Sequence, residues 1–228
     1  MAASNTPELP WSTSAWNAAL PVYEKILAHP FVNELASGTL PYEKFLFYIA
    51  QDALYLEGYS KAMAAIAVRL PHQHQRDTMV GFIKDFISAE QAMQETYFKL
   101  NGGRPSAEAV KPSPSCELYI SYIMKIAATA PVEVAAAVIL PCYWIYLKVG
   151  QHLLTIRTKE NNPYDAWIDT YADESFDTAT TQAITLCDEL AEQSTASVRD
   201  FMTEVYVAAS RMEWMFWDSA YRMEQWPV

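Results

Sequence analysis

Glycine is scarce in this chain, at 6 of 228 residues, where a share of about 7% is usual. No run alternates apolar and polar residues over a useful strand length, and no internal repeat is present. Together these gaps exclude a many-stranded sandwich or barrel, whose tight turns call for glycine. Positive charge is also short. With 16 Lys+Arg against 27 Asp+Glu, the net charge is −11. That disfavours nucleic acid, which is bound by clustered cations, and anionic membranes likewise. Only three cysteines occur, Cys116, Cys142 and Cys187, with no close pair. A disulfide framework is not expected, and a reducing, cytoplasmic setting is. The longest apolar run, Val134 to Leu147, holds fourteen residues. A bilayer span needs about 20, so a buried helix is expected instead. Met1 to Trp11 shows neither a basic run nor an apolar stretch, hence no visible secretory signal.

Motifs for common cofactors are missing too. There is no phosphate-cradling Gly loop, no G-x-S-x-G elbow and no Glu-x-x-His pair of the helical di-iron type. His72 and His74 stand beside Pro71 in an expected turn, His29 lies at a helix end, and His152 is the lone seam histidine. Neither a metal nor a cofactor is expected.

What is present is a hydrophobic share of 51%, a 13% aromatic share and a helical rhythm. Apolar residues recur in steps of three and four, the spacing of one helix face. The segment after Ser14 is expected to be helical, with Trp16, Leu20, Ile26 and Leu27 inward and Pro30 ending it. Phe31–Ser37 forms a short helix stopped by Gly38. A long helix opens at Pro41 in its first turn and runs to Leu70, with the seam Phe45, Tyr48, Asp52, Tyr55, Tyr59, Met63, Ile66 and Leu70. Another runs from about Arg76 to Leu100 along Met79, Ile83, Phe86, Glu90, Met93, Tyr97 and Leu100, before Gly102-Gly103. Ser113-Pro114 reads as an N-cap and first turn, leading to Cys116, Tyr119, Ile123 and Ala127. Pro131 opens the most apolar helix, with the ladder Ala135, Val138, Cys142, Ile145, Val149, His152 and Ile156. A short helix carries Tyr164, Trp167, Ile168 and Tyr171. Asp173 caps the next, with Phe176, Ala183, Leu186 and Leu190. The last helix presents Val198, Met202, Val205, Ala209, either Met212 or Glu213, Phe216 and Ala220. The expected fold class is all-α, a compact bundle of about eight or more helices in one domain over residues 1–228.

Several seam positions are polar where apolar residues belong. A buried carboxylate must be paired or protonated. Asp52 lies between Tyr48 and Tyr55 on its face. It is either a structural acid satisfied by a tyrosine or arginine, or a carboxylate held for a polar ligand. Cys142 follows Pro141, which withdraws a hydrogen bond from the carbonyl of Ala137 and predicts a kink beside the sulfur. It is either an inert small hydrophobe or a nucleophile, with Tyr146 four residues on over the same face. Cys116 and Cys187 lack such surroundings. Glu213 either pairs with Arg211 or acts as an acid/base raised by its aromatic neighbours. Glu90 reads as a structural acid. Tyrosines that stack, carboxylates that grip donors and a thiol that attacks would suit an electron-poor nitrogen ring.

Five segments in order resemble the TenA family of thiaminases II and aminopyrimidine aminohydrolases: His29-Pro-Phe-Val with Gly38-Thr-Leu-Pro, Tyr48-Ile-Ala-Gln-Asp52-Ala-Leu-Tyr55-Leu, Leu140-Pro-Cys-Tyr-Trp-Ile-Tyr146, Tyr164-Asp-Ala-Trp-Ile-Asp-Thr-Tyr171 and Glu213-Trp-Met-Phe-Trp-Asp-Ser-Ala-Tyr221. The resemblance implies a haem-oxygenase-like helical fold without haem, commonly a homotetramer. It assigns Cys142 to the nucleophile of the cysteine-bearing branch, Asp52 to the pyrimidine grip and Glu213 to the acid/base. It assigns Tyr55, Tyr119, Tyr146 and Tyr171 to the pocket, with Tyr122 close enough to Tyr119 to compete for that place. The implied reaction replaces the amine of 4-amino-5-aminomethyl-2-methylpyrimidine by hydroxyl in thiamine salvage, with thiamine cleavage as a related activity. The alternative is a non-catalytic aminopyrimidine or thiamine binder, or a regulator, on the same fold.

Overall fold

Caps and prolines divide the chain where the periodicity breaks. The computed structural model describes residues 9–100, 110–158 and 161–228, except for the side chains at 90, 93, 94, 97, 98 and 100. The expected seam places of Glu90, Met93, Tyr97 and Leu100, and the Gly102-Gly103 stop, lie outside the described residues. Nine helices occur among the described residues, and no strand. They are α1 (Trp11–Leu27), α2 (Pro30–Ser37), α3 (Tyr42–Ala67), α4 (Gln73–Leu100), α5 (Pro114–Thr129), α6 (Val132–Ile156), α7 (Asp165–Ala172), α8 (Glu174–Glu192) and α9 (Ala196–Arg222).

Local chemistry explains the ends. Ser113 Oγ accepts from the Cys116 amide and caps α5, and an Asp173 oxygen accepts from Ser175 N and caps α8. Gly38 ends α2 at φ 72°, a left-handed conformation that only glycine adopts without strain. Two starts differ from the sequence expectation. Helix α1 opens at Trp11, ahead of Ser14, because the Trp11 indole is anchored on the Arg199 carbonyl and the Thr203 hydroxyl. Pro41 is the N-cap of α3, with extended backbone, and not a residue of its first turn.

Helix α6 sits at the centre, packed against α2, α3, α5, α7, α8 and α9. From Val134 to Tyr143 every residue is buried, as expected of a helix apolar all round. It is long and apolar enough to cross a bilayer, yet most of its apolar stretch is enclosed by its neighbours. Its helical run continues through Pro141. Two expected core positions are exposed, one in the middle of α1 and one at the end of α6. Leu20 is exposed while Ala15, Ala19 and Ile26 face inward, and Ile156 is exposed while Leu153 is buried. At Leu20 the preceding residue, Ala19, takes an inward position, and at Ile156 the inward residue is Leu153, nearly one turn earlier. Arg69 then ties the end of α3 to the end of α5, donating to the carbonyls of Ala127 (2.5 Å) and Ala130. Helices α3, α5, α6 and α9 all pack on one another, so their buried seams share one interior.

Candidate functional site

Three polar side chains from three helices meet in this interior. Asp52 comes from α3, Cys142 from α6 and Glu213 from α9, and they are 3%, 6% and 1% exposed. Helix α9 turns Glu213 inward and leaves Met212 half-buried, which settles the register that periodicity left open. Arg211 is exposed and is not its partner. Instead the Tyr119 hydroxyl donates to Glu213 Oε1 at 2.7 Å. Tyr119 is 1% exposed, whereas Tyr122 is half-buried at the periphery, so of the two it is Tyr119 that meets Glu213.

Aromatic rings build the walls. Tyr55 lies 4.8 Å from Tyr119 and 5.7 Å from Phe216, between ring centres. On the other side Tyr146 packs on Tyr171 at 4.9 Å and on Trp217 at 5.1 Å, and Trp167 lies 4.5 Å from Tyr171. Tyr48 closes the floor, stacked on Trp217 at 5.4 Å and donating to the Tyr146 hydroxyl at 3.3 Å. Tyr55, Tyr119, Tyr146 and Tyr171 all feel the charges of Cys142 and Glu213. The seven residues singled out from the sequence are therefore brought together.

The electrostatics follow from burial. Removal from water pushes the Asp52 carboxyl up to about 7 and Glu213 up to about 8, against the pull of the Tyr119 hydrogen bond. Cys142 is raised well above the ordinary thiol range, first by burial and then by the nearby Glu213 charge. The Tyr55 hydroxyl faces this sulfur and favours the thiolate, but completes no hydrogen bond of normal geometry. Tyr59, the other hydroxyl at the sulfur, gives its proton to the Ile139 carbonyl at 2.5 Å and has none for a thiolate. Asp52 Oδ2 and the Tyr55 hydroxyl are buried with no hydrogen-bond partner among the described residues. Unpartnered buried polar atoms are uncommon and costly. Both residues stand three apart on the inward side of α3, an arrangement expected of a site awaiting a polar ligand.

Sequence reasoning missed Gly150. A Cβ there would stand 2.6 Å from the Tyr171 carbonyl oxygen and 2.9 Å from the Tyr171 Cβ. This close approach lets α7 press Tyr171 against α6. A glycine eight residues after Cys142 in a chain so poor in glycine was the available signal. Phe216 and Trp167 were visible only as core residues, and Trp217 only within the segment that carries the family resemblance.

An all-helical bundle whose central aromatic pocket holds one thiol and two protonatable carboxyls defines the class. The sequence pattern of the TENA/THI-4/PQQC family matches residues 16–223, and the chain belongs to that family. It is 33% identical to the aminopyrimidine aminohydrolase of Bacillus subtilis over 218 residues, 95% of this chain and 92% of that protein. It is 29% identical to the aminopyrimidine aminohydrolase of Helicobacter pylori, covering 88% and 94% respectively. Among solved structures, a TenA family transcription regulator from Silicibacter sp. TM1040 superposes with a TM-score of 0.85 at 24% identity, over 96% of this chain and 99% of that one. Haem oxygenase from Leptospira interrogans superposes at 0.56 with 14% identity, over 92% and 100%. Both are likenesses of fold. The residues present do not fit a haem. His29 caps α2 through Nδ1 and faces Asp218, His74 pairs with Glu189 beside His72, and His152 is half-buried near the end of α6. None of the four histidines offers an imidazole to the pocket.

Proposed function

We propose that this chain is an aminopyrimidine aminohydrolase of thiamine salvage. It replaces the amine on the methylene arm of 4-amino-5-aminomethyl-2-methylpyrimidine by hydroxyl, with release of ammonia, and cleaves thiamine at the same site. The observation that carries this reading is the convergence of Asp52, Cys142 and Glu213 inside one aromatic box, with Asp52 Oδ2 and the Tyr55 hydroxyl left unpartnered. Membership of the family, and the printed activity of the relatives, support the same substrate class.

The chemistry follows from the groups. Asp52 receives the ring's exocyclic amine and fixes the pyrimidine between tyrosine faces. The ligand's donors favour ionised Asp52, reversing the effect of burial. The Cys142 sulfur bonds to an electron-poor ring carbon while its proton passes to that fraction of Glu213 which is ionised near neutral pH and held so by the Tyr119 hydroxyl, and the displaced electron pair settles on ring nitrogen. That pair returns to break the arm's C–N bond, and Glu213 hands its proton to the departing nitrogen, which leaves as ammonia. Water then bonds to the methylene carbon. One of its two protons travels through Glu213 to sulfur as the C–S bond breaks, restoring the thiol, and the other stays on the new hydroxyl.

Ammonia release by purified protein supplied with the aminomethylpyrimidine tests the reading. Turnover is expected with no added metal or cofactor. Tight binding of the pyrimidine without any ammonia would replace the enzyme by a binder.

A further inference from the structure

No step of the reaction above uses Tyr59. It stands on α3 four residues after Tyr55 and seven after Asp52, so the three share one helix face. It is 1% exposed. Its ring is held by Phe86 at 4.8 Å and by Tyr55 at 5.4 Å, between ring centres. The one atom it bonds belongs to the backbone of the helix that carries Cys142: its hydroxyl donates to the Ile139 carbonyl of α6 at 2.5 Å.

Ile139 precedes Cys142 by three residues, and side chains lean toward the N-terminal end of their helix. The Cys142 side chain therefore lies over the turn that holds the Ile139 carbonyl, and a hydroxyl bonded to that carbonyl from α3 comes alongside the sulfur. The carbonyl does not depend on it. Pro141 lacks the amide that would serve Ala137, but the continuous run of α6 leaves Ile139 its helical partner, the Tyr143 amide. Tyr59 is thus a second donor to an acceptor already bonded, and its hydroxyl can turn without moving the ring. The residue itself stays protonated, because burial and then the nearby Cys142 charge push it well above the ordinary tyrosine range. A hydroxyl in this place favours the thiolate of Cys142, as that of Tyr55 does.

Building on the proposed function, we infer that Tyr59 is a positioning residue for Cys142, whose hydroxyl oxygen holds the thiol while the site is empty and whose proton turns from the Ile139 carbonyl to the sulfur when the thiolate forms. The turn transfers no proton. The thiol proton still passes to Glu213, Tyr59 keeps its own, and the Ile139 carbonyl falls back on its helical bond. Burial and the Glu213 charge oppose ionisation of the sulfur, and a donor that arrives with the negative charge offsets them at that moment. Tyr59 acts through the sulfur, so binding of the pyrimidine does not depend on it.

Tyr59→Phe tests this, because it keeps the ring and its packing and removes only the hydroxyl. Cys116→Ser with Cys187→Ser forms the background, so that chloroacetamide reports on Cys142 alone. The rise of the alkylation rate with pH should come about one to two units later in the variant, the shift expected for one lost hydrogen bond to a charged group. With the aminomethylpyrimidine as substrate, kcat should fall about tenfold or more, the size of the same loss, while KM stays within about twofold of the background protein. Tyr206→Phe, which removes an equally buried hydroxyl near Cys187, should change neither. An alkylation profile that stays in place, whatever happens to kcat, would make Tyr59 a structural residue and overturn the inference, and so would an unchanged kcat. Background protein that turns over no pyrimidine overturns the proposed function instead, and the alkylation profile alone then decides on Tyr59.

Discussion

The surroundings of the three cysteines show two kinds of interior. Cys116 donates its thiol proton to the Gln51 carbonyl at 3.6 Å, and Cys187 does the same to Ala136 at 3.5 Å. Near Cys187, at the α1–α8 contact, Asp188 accepts from both the amide and the hydroxyl of Ser12, at 2.8 and 2.7 Å. The Cys187 thiol, Ser12 and Asp188 are satisfied there by the fold itself, although the Tyr206 hydroxyl near Cys187 is left without a partner among the described residues. Around Cys142 the pattern reverses. Asp52 Oδ2 and the hydroxyls of Tyr55 and Tyr143 are buried without partners among the described residues. All three thiols are raised by burial, so a shifted thiol does not distinguish the regions. An unpartnered buried carboxyl oxygen does, and among the described residues only Asp52 Oδ2 is one. A structural core completes its polar groups, while a binding site leaves them for its ligand.

The largest expected difference lies between the thiols. Cys142→Ser should cut ammonia release by roughly a thousandfold or more, since a hydroxyl is a far weaker nucleophile at neutral pH. Cys116→Ser and Cys187→Ser should stay near wild type. Near-normal turnover by the Cys142 variant, with its circular dichroism unchanged, would remove the covalent route.

Next in size is a pH effect on stability. Glu213 and Asp52 ionise near 4 when unfolded but only near about 8 and about 7 when buried. Raised folded values mean that this contribution is fully present below about pH 4 and is lost as pH rises through 7 to 8. For Glu213 the loss is on the order of a few kcal/mol. Thermal melts of the ligand-free protein should therefore fall over that window. Glu213→Gln should flatten the fall, and an equally steep curve in the variant would show that Glu213 is ionised in the empty pocket.

Asp52→Asn separates binding from folding. Removing the charged acceptor should weaken pyrimidine binding by about 1.5–3 kcal/mol, the value of a hydrogen bond to a charged group, without lowering the stability of the ligand-free protein. Calorimetry that finds unchanged affinity would make Asp52 a structural acid like Asp188.

The smallest effect concerns Gly150. Gly150→Ala must push the Tyr171 backbone away from α6, at about 1–3 kcal/mol if the contact cannot relax. Turnover should fall severalfold while Gly81→Ala, with open space around its Cα, changes little. Equal behaviour of the two variants would remove Gly150 from the positioning of Tyr171.

Much of this protein is determined locally. Steps of three and four placed the helices, and Ser113, Asp173 and Gly38 act at their ends by chemistry that needs only near neighbours. The whole α3 seam from Phe45 to Leu70 is buried as its spacing requires. Asp52 and Cys142 were legible as polar residues on apolar faces, because helical register alone decides which side they share. Other features were settled by contacts between distant segments. Glu213 and Met212 are one residue apart, and the Tyr119 hydroxyl of another helix marks which one turns fully inward. Tyr119 and Tyr122 likewise part only when α5 meets α9. The anchoring of Trp11, the unpartnered state of Asp52 Oδ2 and the need for Gly150 all depend on atoms far away in the chain. Periodicity reports which face of a helix is buried; only packing decides what that face meets, and which polar atoms are left without a partner.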